Sequence, residues 1–249
     1  PPRLARPGSF VAGTDGRVEI FARQLKRGGL QRDVLFHTAL AAYELGRSST
    51  EMGAVERGRR HLLESRGQFQ TLVDHYPDDP VCAHATYYLG NIHFLLDDYA
   101  AAVESLQRVI DRWPKSEFKA KALYKLGTCY MKAGQMDKAV GAFVNLAYHH
   151  ADSPLVADAM LDLAQYFSSR KLYRDAMGVG RAFLRKFPSH EKAGNMYLRL
   201  AGWLITDTRL REAIEVLDEA EKNMPDSPLM PAFLYWHADC LFKTAAPRS

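Results

Sequence analysis

The chain has 249 residues, 47% hydrophobic and 25% charged, with a formal net charge of +4. This is the balance of a folded domain, and the positive excess is too mild to point to nucleic acid. No run approaches the roughly 18 apolar residues of a membrane span.

Residues 1–16 are rich in Pro and Gly and read as extended. The opening Pro1-Pro2, with no Met and no signal-like core, predicts a mature or trimmed form from which a signal or lipid anchor has gone. Thr14 or Asp15 then caps a short helix from Gly16 to Arg27, with Val18, Phe21 and Leu25 on one face. Gly28-Gly29 ends it. Residues 1–30 are basic, through Arg3, Arg6, Arg17, Arg23, Lys26 and Arg27. They read as a capping helix over the first repeat or as a docking arm for an acidic partner or membrane surface. Asp33 to about Gly46 is a helix, a polar stretch (RSSTEMGAVERG) follows, and a second helix covers Arg59 to His75.

From there the chain repeats itself. Gly90, Gly127, Ala164 and Ala201 stand 37 residues apart, as do Ala102, Ala139, Ala176 and Ala213. Pro77, Pro114, Pro188 and Pro225 fall on the same step or its double. Two amphipathic helices per step, A and B, with a small residue at a fixed place in each, are the mark of a stacked helical array. Asp79-Pro80, Ser116-Glu117, Ser153-Pro154 and Ser227-Pro228 open the A helices as caps, with a shifted version near Ser189-His190. The predicted helices are 80–96, 99–112, 117–133, 136–149, 154–169, 173–186, 190–206, 210–223 and 228–243. The array thus spans 31–243: an atypical first repeat at 31–77, repeats at about 80–114, 117–151, 154–188 and 191–225, and a terminal helix at 228–243. Residues 244–249 form a tail. The first repeat needs either a longer connection or longer helices, since Phe69, Leu72 and Pro77 are in phase but its A helix lies upstream.

The Leu89-Gly90 pair, Ala102 and Pro114, with their copies, resemble the tetratricopeptide repeat. That resemblance implies an all-α, right-handed superhelical solenoid of helix-turn-helix repeats, whose A helices line a concave groove. The groove positions it implies are Tyr87, Asn91, Phe94, Lys121, Tyr124, Thr128, Met131, Lys132, Leu161, Gln165, Leu198 and Tyr235. Aromatic anchors with polar neighbours suit a peptide or helix from a protein partner, while the same rings also serve as helix packing. HYPDDPVCAHATYYLGNIHF and RWPKSEFKAKALYKLGTCYM are further similar to bacterial envelope proteins of this type, the outer-membrane assembly lipoprotein and the periplasmic Tol–Pal partner.

Chemistry-bearing motifs are missing from the sequence. It has no G-x-S-x-G, no phosphate-binding glycine loop and no H-E-x-x-H, and His84 and His93 are too far apart on one helix for a ligand pair. Cys82, Cys129 and Cys240 fit neither a zinc spacing nor a closed disulfide set and read as small buried apolar residues. The sequence therefore reads as a non-catalytic interaction scaffold with no cofactor and no metal. The resemblance implies a periplasmic or outer-membrane-associated role in envelope assembly, with membrane association through a removed anchor or the basic arm. The alternatives are a cytoplasmic adaptor or docking module, and the regulatory array of an enzyme whose catalytic part lies elsewhere.

Overall fold

A computed structural model describes residues 29–245, and among them it holds eleven α-helices and no strand. The basic extension with its expected capping helix at 16–27, and tail residues 246–249, lie outside the described residues. The helices are α1 (Gly29–Glu51), α2 (Val55–His75), α3 (Val81–Leu95), α4 (Tyr99–Arg112), α5 (Phe118–Lys132) and α6 (Met136–His149). Then come α7 (Leu155–Ser169), α8 (Tyr173–Lys186), α9 (Ala193–Thr206), α10 (Leu210–Asn223) and α11 (Met230–Ala245). Odd-numbered helices are the A helices and even-numbered ones the B helices.

Each A helix from α3 onward starts on a side-chain cap set every 37 residues. Asp79 Oδ1 accepts the Val81 N–H at 2.9 Å. Ser116, Ser153 and Ser227 Oγ accept from Phe118, Leu155 and Leu229 at 3.2, 3.3 and 3.2 Å. The remaining slot is filled in phase by His190, whose Nδ1 accepts from Lys192 at 3.1 Å. The cap expected there to be shifted is thus in register; an imidazole nitrogen does the work of a hydroxyl, and α9 begins three residues later.

The A-to-B turns are equally regular. Asp97, Gly134, Lys171 and Thr208 all have positive φ, at 61°, 72°, 59° and 59°. The next N–H in each case reaches back five residues, Asp98 to His93, Gln135 to Tyr130, Leu172 to Phe167 and Arg209 to Leu204, at 2.8–2.9 Å. This is the Schellman arrangement, which satisfies the last carbonyls of the A helix and reverses the chain in two residues. A β-branched residue pays most for the left-handed conformation. Thr208→Gly is therefore expected to stabilise the protein by about 0.5–1 kcal/mol, read as a higher midpoint in urea; an unchanged or lower midpoint contradicts a strained turn.

In the second and third hairpins, the small A-helix residue lies against a large B-helix residue 16 positions later. A Cβ on Gly90 would stand 2.7 Å from Leu106 Cγ, and one on Gly127 only 2.4 Å from the Phe143 ring. Ala164 and Ala201, in the same slot, are fully buried. The first hairpin repeats the contact one heptad early: a Cβ on Gly46 would stand 2.8 Å from Leu62 Cγ. Its helices have 23 and 21 residues against 14–16 for the others. Two extra turns in each helix keep the apolar faces aligned, because seven residues return almost to the same side. The atypical repeat is thus made of longer helices, and its connection is only residues 52–54. Gly127→Leu is expected to destabilise by about 1–3 kcal/mol through overpacking; thermal unfolding at the wild-type temperature would remove this contact from the account.

The chain divides at Ala122/Leu123, within α5, into two compact units. The core of the first gathers Tyr43, Leu62, Phe69, Leu72, Leu89 and Ile92. That of the second gathers Phe183, Met196, Tyr197, Leu200, Trp203 and Phe233 among others. All three thiols are free and buried, as their placement on A helices suggested, and burial pushes Cys129 up to about 11.

Candidate interaction surface

In the first unit, α3 carries Tyr87, Asn91 and Phe94. Asn91 is buried, 6% exposed, and its side chain pairs with the Tyr87 hydroxyl. Burial raises the Tyr87 pKa, and this bond partly offsets the rise. Asn91 Oδ1 has no partner, a buried acceptor whose desolvation a ligand N–H would offset. Tyr87 also lies 4.8 Å from the Phe118 ring, and Phe94 packs 5.6 Å from Tyr99, at the start of its own B helix. Lys121 is exposed, with its ammonium 4.8 Å over Phe118.

The neighbouring Tyr88 escaped notice in the sequence. It stacks on Phe69 at 5.3 Å and meets Tyr43 edge-on at 5.2 Å. Burial pushes Tyr43 up to about 12. A cavity of about 540 Å³ opens beside this aromatic cluster, with Pro80, Ala83, His84, Trp113 and Pro114 in its wall. The Arg112 guanidinium lies 5.3 Å over the Trp113 ring, giving an apolar hollow a cationic rim. The Trp-Pro pair that reads as a stop signal is thus also a surface.

In the second unit, polar bonds tie successive A helices together. Tyr124 donates its hydroxyl hydrogen to Asp162 Oδ2 at 2.8 Å, joining α5 to α7. Trp203 Nε1 donates to Ser168 Oγ at 3.0 Å, and the Arg199 guanidinium to Gln165 Oε1, joining α9 to α7. Thr128 spends its hydroxyl on the Tyr124 carbonyl, one turn back, at 3.0 Å. Met131 is half-buried, and Leu161 and Leu198 pack against the second core. Lys132 and Gln165 are exposed, and Tyr235 is 71% exposed on α11. The set therefore splits. Tyr124, Leu161 and Leu198 are engaged in packing, Gln165 is exposed but bonded to Arg199, and Lys132 and Tyr235 are open to solvent.

Burial raises the Asp162 pKa, while the Tyr124 hydroxyl opposes the rise. Burial lowers that of Lys125 nearby. Sequence reasoning missed Val144 and Tyr148, 60% and 81% exposed one turn apart on the B helix α6; their i, i+4 spacing looks like core, and nothing in the sequence marks that face as open. Among the described residues, no group of three or more His, Cys, Asp or Glu is placed to hold a metal ion, and no helix is long and apolar enough to cross a membrane.

Tyr124→Phe removes the donor that favours ionised Asp162, so the carboxyl pKa should rise further. A raised folded-state pKa gives stability at low pH that is lost as pH rises through it. The variant should be destabilised by about 1 kcal/mol at neutral pH, and the deficit should shrink as pH falls towards about 4. Urea titrations at both pH values check this, and a pH-independent deficit contradicts it.

Two family models described as tetratricopeptide repeat match residues 50–117 and 93–163. The outer membrane protein assembly factor BamD of Caulobacter vibrioides is 25% identical over 182 residues, 64% of this chain. The chain spans 58% of that curated relative's length. Among solved structures, the tetratricopeptide repeat sensor-bearing signal transduction ATPase of Pyrococcus horikoshii aligns at TM-score 0.60 with 17% identity, over 92% of this chain and 39% of that one. Kinesin-light-chain-type tetratricopeptide-like repeats from Podosopora anserina align at 0.54 with 16% identity, over 76% and 96%. At these identities the structures speak to the fold alone.

Proposed function

We propose that this chain, which carries tetratricopeptide repeats, is an adaptor that binds a segment of a partner protein along its A-helix faces and serves bacterial envelope assembly. The fold supports a protein–protein interaction scaffold, and the finer reading rests on one observation. Lys132, Gln165 and Tyr235 are open to solvent on A helices, and half-buried hydrogen bonds between successive A helices hold α5, α7 and α9 in place. A surface whose backbone is already fixed loses little freedom on binding, so a modest set of aromatic and polar contacts suffices. An extended or helical peptide would use Tyr235 as an anchor and Gln165 and Lys132 for register.

The envelope assignment draws on the likeness to an outer membrane protein assembly factor and on the aromatic-proline stops at Tyr76-Pro77, Trp113-Pro114 and Phe187-Pro188. On this reading the protein would work in the periplasm or at the outer membrane, attached through an anchor or the basic arm. Photo-crosslinkers at Lys132, Gln165 and Tyr235, with Tyr148 as the B-helix control, test it in cells. Mass spectrometry should identify outer-membrane or periplasmic proteins captured from the three A-helix positions. Capture of cytosolic proteins alone overturns the compartment, and capture from position 148 alone overturns the binding face.

A further inference from the structure

Helix α11 carries an open face in a register that the chain repeats. Leu234 and Leu241 are 52% and 49% exposed, and Ala238 between them is exposed too. Spacings of four and three residues put the three on one side of the helix. Tyr235 and Phe242 each follow one residue later and so stand about 100° further round. One repeat earlier, on α9, the same three positions are Tyr197, Ala201 and Leu204, all buried. There α10 lies across them, and the Tyr197 hydroxyl donates to its Glu219 at 3.1 Å. On α7 the three are Met160, Ala164 and Phe167, again buried or half-buried. These positions are the seat of a B helix, and Ala238 stands where Gly127 and Ala201 stand. Among the described residues, α11 packs on α9 and α10, and no helix covers its seat.

The rim of the seat is acidic. His237 holds Glu221 of α10 at 2.8 Å through one ring nitrogen and lies 3.4 Å from Asp218 through the other. Both carboxylates therefore border α11 next to Ala238, and the Asp218 side chain remains 60% exposed. The preceding repeat shows what Asp218 would meet. Arg181 of α8 stands 37 residues before it and reaches Glu212 on the next B helix at 2.7 Å. Glu212 lies five residues before Leu217, the fully buried residue placed 16 after Ala201. We propose that a partner protein fills the seat with an amphipathic helix, docked antiparallel to α11 as a B helix supplied in trans. That helix carries a large apolar residue over Ala238 and, five residues earlier, a lysine or arginine opposite Asp218. Burial of Leu234, Ala238 and Leu241 gives the affinity, and the acidic rim selects the charge. The seat lies to one side of Tyr235, so it does not depend on a peptide bound along the A-helix faces.

The probe is a fluorescent peptide copying residues 207–225, which contain the chain's own B helix α10, with Glu212→Lys. Anisotropy with the full chain should show it binding roughly threefold or more tighter than the unsubstituted peptide, whose Glu212 meets Asp218 as a like charge. Asp218→Lys in the protein should reverse that preference. Ala238→Leu, at an exposed position, should abolish binding by filling the crossing, while Tyr148→Ala on α6 should leave it unchanged. No binding, equal binding of the two peptides, or binding indifferent to Ala238→Leu overturns the proposal. So does a dimer of the protein alone that Ala238→Leu dissociates in sedimentation, which would give the seat to a second copy.

Discussion

In the first three hairpins the two helix backbones approach so closely that the A helix has no room for a side chain at the crossing. Gly90 against Leu106 and Gly127 against Phe143 show how little space remains, and fully buried alanines occupy the slot in the next two repeats. Everything else depends on that contact. It fixes how each A helix is rotated, and therefore which residues enter the core, which tie neighbouring A helices and which remain open. The first hairpin keeps the contact while adding two turns to each helix, so the constraint holds where length is free to vary.

Much of this was legible in sequence because it repeats. The helix ends from α3 to α11 follow from prolines, caps and small residues spaced by 37, and even the His190 cap obeys that spacing. What repetition could not reveal were the first-repeat connection and the fate of individual side chains. Residues 47–51 are polar and read as loop, yet they continue α1, where Arg47 bridges Glu44 and Glu51 across successive turns. Tyr124 and Tyr235 occupy equivalent repeat positions, yet one is bound to Asp162 and the other is open. The difference comes from α7, which supplies the carboxylate beside Tyr124. A repeat pattern specifies positions; neighbours decide their use.

The same division shapes function. On the A-helix faces, half-buried polar pairs give rigidity, and the exposed residues between them give chemistry for recognition. A scaffold of this kind needs no moving part and no reacting group. On the proposed reading its specificity would lie in the few side chains that repeats do not share, such as Lys132, Gln165 and Tyr235 in the second unit and the Trp113 hollow in the first.

The most direct measurement is hydrogen–deuterium exchange of the full chain, alone and saturated with a purified envelope partner. The account predicts added protection at α7 and α11, with α6 around Val144 and Tyr148 unchanged. Protection confined to α6 would place recognition on the B helices and contradict the assignment of the A-helix faces.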